Sequence, residues 1–212
     1  NNLKFYVKVK GKENRTTATI IVGAYNSRNR EKADYVTDGP GGTDDAAVIE
    51  SAITALPAGT AGSVVLLDGT YFSGSDIQIT RDNVSLVGAG AGSVITRNYN
   101  SGYGSGLVAI YGDNVTISSI KFDCNVSVYN TAEYSANILA DGANNLKIIG
   151  NHVDMARGYG IFVINSGSNV LISENILIGN NDGIAINDTY TNAVVSVVNN
   201  QIDSSVWTGI TL

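Results

Sequence analysis

Two short triplets hold most of the acid–base chemistry this chain could perform. Lys121-Phe122-Asp123 and His152-Val153-Asp154 each set polar side chains on either side of an apolar one. In an extended strand that spacing turns both polar groups to one face. If the triplets lie side by side, the two carboxylates repel, so one holds its proton more tightly. Such a pair can act as acid and base in glycosidic bond cleavage, by hydrolysis or by elimination. It could also bind a cation, and calcium suits carboxylate oxygen; no other cofactor is evident. His152 is the chain's one histidine, and Arg157 follows shortly after. The candidate catalytic residues are therefore Asp123, Asp154, His152 and Arg157. A solvated strand face has the same pattern, with Lys121 neutralising the acids, and a surface ion pair of that kind contributes little.

Tyrosines are the second clue. Tyr99, Tyr103 and Tyr111 fall in one long excursion, and Tyr129 and Tyr134 in the next. Loops on a rigid scaffold commonly carry function. Flat, amphipathic rings suit sugars, so these five are candidate carbohydrate-binding residues; the alternative is packing of the loops onto the scaffold. Asp182, before Gly183, reads as a turn residue. No phosphate loop, recognisable serine–histidine–acid arrangement or metalloprotease motif is present.

The scaffold that would position these groups is repetitive. Asn151, Asn175 and Asn200 recur at intervals of 24 and 25 residues. Apolar residues keep phase with them: Ile148, Ile172 and Val197 before, Val153, Leu177 and Ile202 after. A further strand recurs as Gly160-Ile161-Phe162-Val163, Gly183-Ile184-Ala185-Ile186 and Gly209-Ile210-Thr211-Leu212. Earlier coils with longer excursions start at Asn83 and Asn114, 31 residues apart, and Asn145 stands another 31 along. A repeat of this size is one turn of a solenoid whose short strands pair with the coils above and below, about 4.8 Å away. The chain is thus expected to be all-β, a right-handed parallel β-helix of five successive coils. Asn151, Asn175 and Asn200 would form a structural ladder of side-chain amides from coil to coil. Leucine-rich repeats are discounted, because regularly spaced leucines and a helical side are both missing.

Ahead of the repeats, the chain divides in two. Residues 1–34 hold two strand-like runs, Leu3–Val9 and Thr17–Val22, joined by a turn at Lys10–Asn14, with Asn26–Lys32 as a polar linker. They are expected to form an N-terminal strand hairpin. Residues 35–212 are expected to be the β-helix domain, with a capping segment at 35–61 and coils from about 62. A helix is predicted at about 44–55, with Thr43 as N-cap and Asp44 and Asp45 in its first turn. Pro57-Ala58-Gly59 ends it.

Composition narrows the partners. Charged residues make up 15% of the chain, glycine is abundant at 24 residues, proline is scarce at 2, and the net charge is −6. An acidic surface argues against nucleic acid, whose phosphates need clustered Lys and Arg. An uncharged, Asn- and Thr-rich surface suits hydroxyl-rich ligands. The lone Cys124 excludes an internal disulfide and a multi-cysteine zinc site. No apolar run is long enough for a membrane-spanning helix, so no membrane insertion is expected. The start, Asn1-Asn2-Leu3-Lys4, has no initiator Met or signal pattern and reads as that of a trimmed piece. The last repeat strand is cut at Leu212, so further chain or a partner is expected to cover its edge.

The run Ala33-Asp34-Tyr35-Val36-Thr37-Asp38-Gly39, then Thr43-Asp44-Asp45, then Gly62-Ser63-Val64-Val65-Leu66-Leu67-Asp68-Gly69-Thr70-Tyr71 resembles the entrance of pectate-lyase-like β-helix proteins. The likeness extends over about 34–212. The lead Asn26–Val36 looks like a type common in phage tail-associated and bacterial surface proteins. The resemblance implies a cell-envelope polysaccharide as ligand, an extracellular or virion-surface location, and the homotrimer usual in tailspikes. It does not carry an activity. The Tyr-Gly-Phe-Asp-Pro-His motif of alginate epimerases and the Gly-His-Gly of polygalacturonases are missing, Asn181-Asp182-Gly183 echoes the latter enzymes only in part, and no clear copy of the pectate-lyase calcium cluster is visible. Three roles stay open: recognition of an envelope polysaccharide, processing of one as a lyase, glycoside hydrolase or epimerase, or a structural spacer and trimerisation element.

Overall fold

The computed structural model describes residues 17–41, 44–128, 135–166, 168–187 and 194–211. Its strands wind into a parallel β-helix with three faces, and every strand pair is parallel. The first face stacks Thr17–Gly23, Ala61–Leu66, the start of Val84–Arg97, the start of Thr116–Asp123, Lys147–Ile149, Val170–Ser173 and Val195–Val198. The second stacks Gly69–Ser73, the remainders of the two long strands, His152–Asp154, Ile176–Ile178 and Gln201–Asp203. The third runs from Ile77–Ile79 through Gly106–Ile110, Ala136–Asp141, Tyr159–Ile164 and Asp182–Asn187 to Thr208–Thr211.

Alternation of β-branched and polar residues explains this. On each strand every second side chain points inward, and stacking in register turns those side chains into columns. Val64, Leu86, Ile117, Ile148 and Ile172 form one such column, and Tyr71, Ile95, Phe122, Val153 and Leu177 another. All ten are fully buried. Glycine is required where the third face meets the core. A Cβ on Gly183 would sit 2.5 Å from the Gly209 carbonyl oxygen, and one on Gly160 2.7 Å from that of Gly183.

The corner between the first two faces is made by residues in the left-handed region, Gly150, Glu174 and Asn199, at φ of 65°, 59° and 55°. Each is followed by a ladder asparagine. Asn175 Oδ1 accepts from the backbone and side-chain amides of Asn151, at 2.9 and 3.1 Å, and Asn200 Oδ1 does the same for Asn175. A second, exposed row marks another corner. Asn114 donates to Asn83 and Asn169 to Asn145, and all four have positive φ, which asparagine tolerates better than most residues.

The N-terminal part departs from expectation. Thr17–Gly23 pairs in parallel with Ala61–Leu66 and is a rung of the stack; the runs at 3–9 and 10–14 lie outside the described residues. Its alternation is that of every other rung, but its partner is far along the chain, and a local hairpin rule does not see such a pairing. The segment after it is a packed loop. Ser27 is buried, and Asn26 Oδ1 accepts from the Thr70 amide at 2.9 Å.

The helix, Asp45–Ala55, covers the end of the stack with Ala46, Ile49, Ala52 and Ile53 buried. Its N-cap is Asp44 rather than Thr43. A carboxylate has two acceptor atoms, and Asp44 uses both: Oδ1 accepts from Ala46 N at 2.9 Å and Gly74 N at 2.6 Å, and Oδ2 accepts from Ser75 Oγ at 2.6 Å. A single hydroxyl could not cap the helix and hold that strand end at once. Asp44→Ala is expected to lower stability by about 1–2 kcal/mol, read from the denaturant midpoint. Asp45 is wholly buried and accepts from Phe72 N at 2.7 Å; burial raises its pKa. Arg81 Nη1 closes the other end on the carbonyls of Ile53, Thr54 and Leu56.

Candidate functional site

The second face places Lys121 beside His152 and Asp123 beside Asp154 on adjacent rungs, with Phe122 and Val153 inside. Asp154 is the centre of this group. Lys121 Nζ lies 3.0 Å from its Oδ2, and His152 Nε2 lies 2.8 Å from its Oδ1. Asp123 is turned to the following loop, where Oδ1 accepts from Asn125 N at 2.8 Å. The result is one carboxylate clamped between two basic groups rather than two free acids facing a common space. Such contacts fix the orientation of Asp154. The next rung turns Ile176 and Ile178 outward, so the polar patch is two rungs deep. Arg157 stands past the next corner, exposed, on the approach to the third face. Among the described residues, no three His, Cys, Asp or Glu side chains converge as a metal site.

The third face is built differently. Its outward side is apolar. Ala109, Leu139, Phe162 and Ala185 stack on consecutive rungs and, with Ala136, form a cluster separate from the interior. The ring of Tyr159 stacks on Phe162 with centroids 4.3 Å apart. Tyr103, 79% exposed, completes the wall of a groove of about 310 Å³, and Asp141 and Asn187 supply its polar groups. Asn165 Nδ2 donates to Asp141 Oδ1 at 2.9 Å and orients it. A second, more polar trough of about 530 Å³ is bounded by Glu50, Asp76, Gln78, Tyr99 and Ser105. Tyr111, 43% exposed, feels the carboxylates of Asp76 in the one and Asp141 in the other. Burial raises its phenol pKa, and the carboxylates of Asp76 and Asp141 raise it further.

The five tyrosines singled out by sequence thus divide. Tyr103 and Tyr111 are displayed on this face. Tyr99 is largely packed: its hydroxyl donates to Asp76, and the Arg97 guanidinium lies 4.6 Å over its ring. Arg97 is 0% exposed, donates to the Ala136 carbonyl at 3.1 Å, and stands 4.0 Å from Asp76 Oδ1. Tyr129 and Tyr134 lie outside the described residues. Cys124 is buried beside Arg97, its thiol donating to Asn137 Oδ1 at 3.0 Å, and burial pushes its pKa up. The residues that sequence reasoning passed over are Tyr159, Phe162, Asp141 and Asn187. The available signal was an aromatic at an outward position of an otherwise regular coil strand.

The model of the right-handed β-helix region matches residues 59–212. The chain belongs to this right-handed β-helix family. A search of curated proteins found no match. Among solved structures, the right-handed β-helix chain is similar to ORF18 of Geobacillus virus E2, at 20% identity and a TM-score of 0.53 over 80% of this chain. It spans 40% of that viral protein's length, and the likeness is one of fold. It also aligns with a pectin methylesterase variant in complex with a hexasaccharide, at 12% identity and a TM-score of 0.38 over 82% of this chain and 66% of that one. A third alignment is with the A-module of a mannuronan C-5 epimerase from Azotobacter vinelandii, at 16% identity and a TM-score of 0.30 over 77% and 66% of the two chains. Among the described residues, no helix is long and apolar enough to cross a membrane.

Proposed function

We propose that this β-helix recognises a cell-envelope polysaccharide from the outside of a virion, as part of a phage tail, working as a homotrimer. The observation that carries the recognition is the third-face groove. Tyr159, backed by the buried ring of Phe162, and Tyr103 opposite offer apolar faces for sugar rings, and Asp141 and Asn187 offer acceptors and donors for hydroxyls. A solvated strand face does not ordinarily turn Leu, Phe and Ala outward on consecutive rungs. The phage setting rests on the resemblance of the Asn26–Val36 lead, and the trimer on the tailspikes that lead resembles. Electrophoresis of the protein through gels cast with purified envelope polysaccharides tests the recognition. Retardation by at least one of them is expected, and free migration through all of them overturns it.

The second reading, cleavage of the glycan, is favoured by the Lys121–Asp154–His152 clamp. Asp154 would then be the working acid or base. If any preparation releases reducing ends or unsaturated, ultraviolet-absorbing products, Asp154→Asn is expected to lower that rate at least about a hundredfold. An unchanged rate removes this carboxylate from the chemistry.

A further inference from the structure

The charge lining the third-face track points to the kind of glycan it takes, given the recognition proposed above. Three carboxylates border the two troughs: Glu50 and Asp76 in one, Asp141 in the other. Among the described lining residues there is no lysine or arginine. Arg97 lies buried beneath Asp76 and offsets that one charge. Glu50 is tied to the Gln78 amide at 2.7 Å. Asp141 is held by the neutral amide of Asn165 and sits beside the aromatic stack with its charge uncompensated by any partner in its hydrogen bond.

We infer that the track selects uncharged glycan strands over acidic ones, and that Asp141 is the residue that sets this selectivity. A sugar hydroxyl can donate to Asp141, whereas a uronate carboxylate brought to the same place neither donates nor escapes its charge. At a few ångströms near a protein surface, one such repulsion lowers affinity about tenfold. The aromatic faces do not discriminate, since a uronate ring has the same apolar face as its neutral parent. The selectivity therefore rests on the carboxylate and not on shape.

The test is a set of matched polymers with free C6 hydroxyls: amylose, β-1,4-mannan, β-1,4-galactan and a soluble β-1,3-glucan, each beside its C6-oxidised form, which differs only by carboxylates. Affinity electrophoresis at low salt is expected to show the neutral member of a retained pair bound about tenfold more tightly than the oxidised one. Asp141→Asn keeps the side chain's size and its acceptor for Asn165, and should close most of that gap; the ratio within each pair is the readout, since losing a charged acceptor for hydroxyls weakens the neutral member too. High salt should narrow it in the wild-type protein too, since these charges face solvent. Equal or tighter retention of oxidised polymers by the wild type overturns the selectivity and leaves glycan recognition standing. A gap unchanged in Asp141→Asn and at high salt removes Asp141 from the role. Retention of no polymer in either form, together with free migration through the envelope polysaccharides, overturns recognition itself, and the selectivity with it.

Discussion

Asn175→Leu is expected to lower the stability of the β-helix by about 3–5 kcal/mol, although leucine matches the branching and heavy-atom count of asparagine. Asn175 is fully buried, and its amide is engaged on every side. Oδ1 accepts from both amides of Asn151, while Nδ2 donates to the Ile148 carbonyl and to Asn200 Oδ1, each at 2.9 Å. Leucine leaves the Asn151 N–H without its acceptor and takes a donor from the Ile148 carbonyl and from Asn200 Oδ1, at a place where water does not reach. Each orphaned group costs about 1–3 kcal/mol, and the interrupted ladder adds the contacts on either side. The control is Asn169→Gly in the exposed row. Asn169 donates to Asn145 at 3.0 Å, but water can take over that bond, and glycine keeps the positive φ of 53°. That change should stay within about 1 kcal/mol. Guanidinium unfolding followed by circular dichroism compares the two. Equal midpoints would show that the inner ladder orders the corner without stabilising it.

The inner ladder was readable because it repeats. Asn151, Asn175 and Asn200 recur with the coil, and once they are aligned, the apolar positions around them assign the two sides of each strand. That alignment also places Lys121 and Asp123 opposite His152 and Asp154, which is the register of the structure. Three things resist such reading. The strand Thr17–Gly23 finds its partner only after a long crossover, so its membership in the stack leaves no local trace. The cap passed from Thr43 to Asp44 because the latter's second oxygen serves a strand end 31 residues on, at Ser75. The aromatic groove depends on an irregular step. Strict alternation would turn Tyr159 inward with Ile161 and Val163, but Tyr159 pairs with Asp182 and Ala136 just before an unpaired Gly160, and its ring stacks outside on Phe162.

The same irregularity separates stability from recognition. Inner columns fix rung spacing at about 4.8 Å and hold the outward residues in rank, so a side chain on the outer side can change without moving its neighbours. Leu139, Phe162 and Ala185 are therefore presented at fixed intervals by a core they do not belong to. A site on regular strands is held more firmly than one on loops, and little ordering remains to be done on binding.

Phe162→Ala follows from that separation and carries the largest functional effect. For whichever neutral polymer retards the wild-type protein, the variant is expected to bind about thirtyfold more weakly, a loss of about 2 kcal/mol. Phe162 is the central ring of the groove: Tyr159 stacks on it, and Leu139 and Ala185 flank it on the rungs above and below. Phe162 is buried at 8% exposure, so its removal takes away the support that holds the Tyr159 ring and the floor of the groove. Tyr103, exposed at the rim, has fewer neighbours to organise, and Tyr103→Ala should weaken binding only about fivefold. The fold should survive both changes, because Ile161 and Val163, which fill the interior on the same strand, are untouched. Titration calorimetry, with circular dichroism of each variant alongside, checks the prediction. Unchanged affinity in a folded Phe162→Ala protein would move recognition off the third face and leave the Lys121–Asp154–His152 patch as the surface to test next.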